Sequence, residues 1–489
     1  MNANRFGDLV VLLPGITGSV LRRDGRDVWA PTPQAALTAL LTLGRSVDRL
    51  ALEGDDWQAD DLGDGIVASR LMPEAHLLAN IWKIDGYTEI ETFLTRTLGL
   101  TRGDNYRPYP YDWRRDIRAA ARRLLVESRG WLKHWRQKSG NDQAQLVLVG
   151  HSMGGLVSRY YVEALGGWQD TKAVITFGTP FYGSLNALEF LCNGLRKRLG
   201  PFHTDLSELL RSFTSLHQLV PVYRCVYGTD GSPGTPVMPA EARLPNWQPK
   251  WSRDLLSFQS EMERAAAANR QDPAWAAHPV VYRPILGVGL PTGQSAHLAD
   301  GPDAPRAVVR HFRGSEDQDE GGDGTVPKLS AALSGSESAS TFAAQPHASL
   351  QTQRPLLDHL KGVLESLDDI SIDDLRGARG DDLREGKPAW FGYRSENLYL
   401  PDQPVSVELS LNNADGRSRQ DSVAVEVTVS PRAPQGRPTR HSVTVTGSPL
   451  PIDLGLLTPG AYDIRVTSGP DVGTLSDVLV VGDREGPQP

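Results

Sequence analysis

LVLVGHSMGGLVSRYYV (146–162) starts as strand-forming residues, stops at Gly150, presents His-Ser-Met, and resumes with helical spacing after two glycines. Gly150-His151-Ser152-Met153-Gly154 fits a small-x-Ser-x-small turn between a strand and a helix. Glycine is needed there because a side chain would clash inside so tight a turn. Such a turn lifts Ser152 to the carboxyl end of a sheet and aims the free N–H groups of a helix N-terminus at a reacting carbonyl. The bland alternative is a glycine-rich packing turn with a spare hydroxyl.

Outward from this stretch, strand and helix alternate. Leu9–Leu13 reads as a buried strand ending in Pro14-Gly15-Ile16-Thr17-Gly18, and Ala173–Phe177 follows the helix begun at Met153. YTEIETFLTRTLGL (87–100) and IRAAARRLLVESRGWLKHW (117–135) repeat apolar residues at helical spacing. The alternation predicts an α/β domain: a mostly parallel sheet with helices on both faces. Residues 185–275 break the rhythm with helical segments and the loop LPNWQPKW, the profile of an inserted cap. Strand signals return at Val280–Val288 and Ala307–Phe312, and RPLLDHLKGVLESL closes the domain. The first domain is therefore expected over 1–370, with a polar, acidic linker over 371–392. From 393 to 489, alternation such as Val405, Val407, Leu409 and Leu411 predicts a small all-β sandwich of immunoglobulin or fibronectin type, with a short polar tail.

At 489 residues and net charge −8, the chain lacks the cationic surplus of a nucleic-acid binder. The N-terminus has no leader pattern, and no apolar run approaches a membrane span, so the expected location is cytoplasmic, with peripheral membrane contact left open. Cys192 and Cys225 form no disulfide framework and lack zinc spacing; buried free thiols are the preferred reading.

A serine hydroxyl needs a base oriented by a third group. GGDGTVP (321–327) places Asp323 on a loop, and His347 follows just before the last helix. Ser152, Asp323 and His347 are the predicted catalytic residues. His311 is the rival base but precedes the acid; His151 adjoins the serine and reads as an elbow packing residue. A tetrahedral intermediate needs two donors. These are assigned to the Met153 amide, next after the nucleophile, and the Ile16 amide in the loop after the first strand. EDQDEGGDG (316–324) has a superficial likeness to a calcium loop, but Gly321 stands where an oxygen ligand is required. No metal site and no cofactor are expected. Trp247 and Trp251 are the candidate substrate contacts, in a cap expected to govern access.

LLPGITGSVL, DGYTEIETFL, PYDWR, GHSMGG, FGTPFYGS, SFTSLHQLVP, GVGLPT and GDGTVP occur in order over roughly residues 8–365. Together they resemble the lecithin:cholesterol acyltransferase family, with its lysosomal phospholipase and phospholipid:diacylglycerol acyltransferase relatives. PYDWR (110–114) and SFTSLHQLVP (212–221) are more specific than the elbow. The resemblance implies an α/β-hydrolase core, an acyl-enzyme on a serine and lipid ester substrates, and its motif positions fall on Ser152, Asp323, His347, Ile16 and Met153. Within PYDWR, the preferred reading is that Asp112 and Arg114 lock a loop with Trp113 packed beneath; the alternative is lining of an acyl pocket. Residues 25–80 lack cysteine, so the family's early disulfide has no counterpart, and the terminal β-domain lies outside the resemblance.

The expected function is thus a serine-dependent lipid acyl-ester hydrolase or O-acyltransferase. The alternatives are a soluble carboxylesterase or thioesterase on smaller acyl compounds, and a binding protein with a vestigial hydrolase domain. Expected partners are a lipid or other acyl-ester substrate, a transient membrane or micelle surface, and a protein or surface bound by the β-domain; nucleic acid is not expected.

Overall fold

A computed structural model describes residues 6–30, 49–73, 86–199, 202–228, 236–299, 306–310, 321–333, 339–369, 390–395, 398–399, 403–412, 422–431, 437–446, 449–468 and 475–481. The helical patch near 35–43, His311, the acidic run before Gly321 and most of the linker lie outside the described residues.

Six strands form the main sheet: β1 (Leu9–Leu13), β2 (Tyr106–Pro108), β3 (Leu146–His151), β4 (Thr171–Phe177), β5 (Val281–Gly287) and β6 (Thr341–Ala343), in the order β6-β5-β4-β3-β1-β2. Every pairing is parallel. Every residue of β1 and β3 is buried, so both faces of the sheet are covered, as a parallel sheet requires. Each such Val or Leu side chain contributes about 1.5–3 kcal/mol through burial. The strand order and the serine turn after β3 make this an α/β-hydrolase fold. From β1 the chain steps outward one way to β2 and the other way from β3 to β6. This reversal opens a crevice at the carboxyl ends of β1 and β3, where open α/β sheets bind ligands.

Helix Ile117–Ser139 is capped by Asp116, whose side chain accepts from the Arg118 amide, and ends at Gly140. It packs on helix Met153–Ala164, which in turn meets helix Pro249–Asn269 of the inserted region. Arg118 bonds Asp116 on its own element and reaches Asp254 and Glu261 across the gap, tying that insertion to the sheet domain.

The insertion is less purely helical than the sequence suggests. Strand Val226–Tyr227 pairs with Ser295–Ala299, which pairs with Arg306–Arg310 in a small sheet of its own. The strand expected at 307–312 therefore belongs to this sheet, not the main one. Local alternation shows that a strand will form; its partner is a matter of tertiary placement. Cys192 and Cys225 are both buried and outside any disulfide, and burial pushes the Cys192 thiol up to about 12. No helix among the described residues is long and apolar enough to cross a membrane.

Beyond 390 lie two sheets: Trp390–Ser395, Val405–Asn412 and Leu450–Gly455 in one, and Leu398–Tyr399, Val423–Pro431, Thr439–Val445, Gly460–Thr467 and Leu475–Val481 in the other. The first strand begins at Trp390, within the stretch read as linker. The alternating residues, Val407, Leu409, Val425, Val427, Ile464 and Val466 among them, fill one core. Tyr462 Oη donates to the Thr458 carbonyl at 2.8 Å, the corner bond that immunoglobulin-like sandwiches use. Leu290 of the first domain is buried in the same cluster, whereas the closing helix Arg354–Asp369 packs into the main core. A chain ending near Ser371 is accordingly expected to fold and to keep near-normal labelling of Ser152 by a fluorophosphonate. An insoluble or unlabelled truncation would show that the sandwich completes the first domain.

Candidate active site

The geometry after β3 is that of a strained elbow. Ser152 has φ +52 and ψ −124, a combination costing on the order of 1–3 kcal/mol for a non-glycine residue. Surrounding bonds hold it: its amide donates to Phe177 O at 2.8 Å, and Thr179 Oγ1 donates to its carbonyl at 2.9 Å. A Cβ on Gly154 would lie 2.5 Å from the Leu13 carbonyl, so the β1 loop and the helix start can meet only over glycine.

Asp323 and His347 converge on this serine from the ends of β5 and β6. Ser152 Oγ lies 2.9 Å from His347 Nε2, and His347 Nδ1 lies 2.7 Å from Asp323 Oδ2. Asp323 is 1% exposed, and its other oxygen accepts from the Thr325 and Val326 amides at 2.9 and 2.6 Å. Since the carboxylate only accepts, Nδ1 carries the imidazole proton and Nε2 offers a lone pair to the serine O–H. The His347 amide donates to Asp323 O at 2.9 Å, fixing base and acid together through the backbone. Beneath them Gly178 sits at φ +57; a Cβ there would be 2.8 Å from Asp323 Oδ2 and 2.9 Å from His347 Nδ1.

The donors assigned to an oxyanion hole flank the same point. β1 and β3 pair with Leu13 opposite Gly150, and a Cβ on Gly15 would lie 2.9 Å from Ser152 Cβ. Among the described residues, the Ile16 and Met153 amides are taken by no carbonyl or side chain.

PYDWR holds this loop from below. Tyr111 Oη donates to Pro14 O at 2.6 Å, the Tyr111 amide donates to Ser19 Oγ at 3.1 Å, and Trp113 Nε1 donates to Ser19 O at 3.0 Å. Trp113 is buried between Trp29 and Phe213. Arg114, fully buried, pairs with Asp112 and Asp64 and donates to Leu50 O. The locking role of this motif is the one the structure contains.

His151 packs in the elbow and turns from the serine. Its Nδ1 is 2.9 Å from Tyr87 Oη and its Nε2 is 3.1 Å from His347 O. Burial, aided by the neighbouring His347 charge, pushes its pKa down to about 3, so it stays neutral. Tyr87 opens the stretch read for its helical spacing and for its resemblance, but it is not among the residues predicted for the site; its lone local signal is the Gly-Tyr preceding a helix.

Trp247 and Trp251 are not brought to this cluster. They pack on His217, with ring centroids 5.8 and 3.9 Å away, and on each other at 5.6 Å; none of these ring contacts involves the three catalytic candidates. No group of His, Cys, Asp and Glu suited to a metal ion occurs among the described residues.

The model of the lecithin:cholesterol acyltransferase family matches residues 80–232, the span holding PYDWR, the serine elbow and SFTSLHQLVP. This bears out the resemblance read from the motifs. This chain is similar to the human protein called lysosomal phospholipase A and acyltransferase, 32% identical over 129 residues, 25% of this chain and 30% of that one. The rat protein of the same name is 30% identical over 141 residues, 28% of this chain and 32% of that one. The chain thus spans about a third of the length of the curated relatives it matches. Among solved structures, that titled the Tle4–Tli4 complex aligns over 74% of this chain and 98% of its own, at 16% identity and TM-score 0.48. The Bacillus licheniformis lipase BlEst2 in propeptide form aligns over 98% and 94%, at 10% identity and TM-score 0.30. The fold assignment stands on strand order and elbow geometry rather than on these.

Proposed function

We propose that this chain is a serine-dependent lipid acyl-ester hydrolase or O-acyltransferase. The observation that carries the reading is the Ser152–His347–Asp323 relay at the crevice, with two unengaged amides beside it. His347 Nε2 takes the Ser152 proton as Oγ attacks the ester carbonyl carbon. The oxyanion forms against the Ile16 and Met153 amides. Collapse expels the alcohol, which receives the proton from His347, and leaves an ester on Ser152. Water or a second alcohol then gives its proton to His347 and attacks that ester, restoring the serine. Asp323 holds the ring and stabilises the imidazolium throughout.

Lipid substrates are supported by the names of the relatives, which join phospholipase A to acyltransferase. The test is mass spectrometry of products from mixed phospholipid and neutral lipid, with and without added long-chain alcohol. Free fatty acid is expected alone, with a new ester when alcohol is present. Turnover confined to short soluble esters would move the reading to a carboxylesterase. No product with any ester would sink it.

The tryptophans make a separate prediction about the cap. Trp247 and Trp251 are only partly buried, and a cap that admits long chains must present apolar surface to an aggregate. Trp247→Gln with Trp251→Gln is expected to lower activity on vesicles about tenfold more than on a short ester. Equal loss on both substrates would assign the pair to packing around His217.

A further inference from the structure

We propose that Tyr87 and His151 are positioning residues, a buried relay that aims the Ile16 amide at the reacting carbonyl and ties the loop carrying it to the base, His347; this rests on the reading of the site as an acyl-transfer centre. Tyr87 is fully buried, and its hydroxyl accepts from the Gly15 amide at 2.7 Å. Its one proton then goes to His151 Nδ1 at 2.9 Å. His151 Nε2 faces the His347 carbonyl at 3.1 Å, and a carbonyl only accepts, so that nitrogen carries the ring proton. A single assignment of protons satisfies the whole path from Gly15 to His347.

The geometry of the loop gives the relay its use. Pro14 C=O and Gly15 N–H belong to one peptide unit. Tyr111 Oη holds the first at 2.6 Å and Tyr87 Oη holds the second at 2.7 Å. Two buried phenols therefore clamp that plane at both ends. In the next peptide unit, Gly15 O accepts from the Gly18 amide at 3.0 Å. That fixes the opposite end of the unit, the Ile16 N–H, which is left free for a ligand. Removing the Tyr87 hydroxyl strands the buried Gly15 N–H and lets the first plane turn, and the Ile16 amide turns with it. The same hydroxyl orients His151, which holds the backbone carbonyl of the base. A preorganised donor stabilises developing charge because it need not reorient during the reaction.

The test compares Tyr87→Phe with the unaltered chain on p-nitrophenyl butyrate and on its thionoester, whose C=S replaces C=O. Sulfur accepts hydrogen bonds weakly, so a thionoester draws little from an oxyanion donor. The expected result is a fall in kcat of about 10–100-fold on the oxygen ester. KM should stay within about threefold, and the thionoester should lose much less. Unchanged kcat on the oxygen ester, or equal losses on both esters, would overturn the proposal. If Tyr87→Phe does not yield folded protein, the other end of the relay decides. His151→Leu should lower kcat on the oxygen ester about 10-fold or more, and His151→Gln, which keeps an acceptor for Tyr87 and a donor for His347 O, should recover most of it. A Gln variant as poor as the Leu variant would overturn the proposal. An unaltered chain without ester turnover would remove the acyl-transfer reading first, and this one with it.

Discussion

Ser152→Ala is expected to abolish ester turnover and fluorophosphonate labelling while the melting temperature stays close to that of the unaltered chain. Among the described residues the Ser152 side chain makes one hydrogen bond, to His347 Nε2, and alanine tolerates φ +52 about as well as serine, so little packing is lost. Loss of the covalent route should cost about 10⁴–10⁶ in kcat. The measurement is kcat on a soluble ester with thermal unfolding alongside. Full turnover by a clean Ser152→Ala preparation would falsify the acyl-enzyme.

His347→Ala and Asp323→Asn are expected to lower kcat by about 10³–10⁵ each, with the double variant little worse than His347→Ala alone. The reason is the order of the relay. Asp323 acts through His347 Nδ1, so once the imidazole is gone the carboxylate has nothing to orient. In Asp323→Asn an amide N–H can face Nδ1, favouring the tautomer whose proton sits on Nε2, which cannot accept the serine O–H. A double variant whose loss is the product of the single losses would show the two residues acting independently. An inactive His311→Ala with an active His347→Ala would move the base to the strand-like run near 310. Circular dichroism is needed beside both, because Asp323 also anchors the Thr325 and Val326 amides.

Much of the site was legible because its residues sit at punctuation in the chain. A buried strand must end where its hydrophobic run ends, and a tight strand-to-helix turn must use glycine, so Ser152 and Met153 could be placed from spacing alone. Asp323 and His347 were legible in order, as an acid loop followed by a histidine before the closing helix. Their contact was not, since 24 residues and the end of β6 separate them. Trp247 and Trp251 show the limit of composition. Two tryptophans in a proline-rich loop read as an access surface, but which side chain covers a ring depends on the docking of helix Pro249–Asn269, and here that neighbour is His217.

By itself, the sequence determined four of the six main-sheet strands and the long helices beside them, that the sheet is parallel, that an alternating β region follows, and where a serine would be exposed. These depend on periodicity and backbone sterics, which act over a few residues. Only the tertiary structure decided that Ser295–Ala299 and Arg306–Arg310 leave the main sheet for a smaller one. It also decided that Gly178 lies under the acid–base pair and that the Tyr87 hydroxyl, 72 residues along the chain, meets the Gly15 amide. Such pairings are between groups distant in sequence. A buried phenol or amide must find a partner, but the chain's local pattern carries no record of which one, and the parallel strand order that brings the carboxyl ends of β1, β3, β5 and β6 to the same end of the sheet makes the choice.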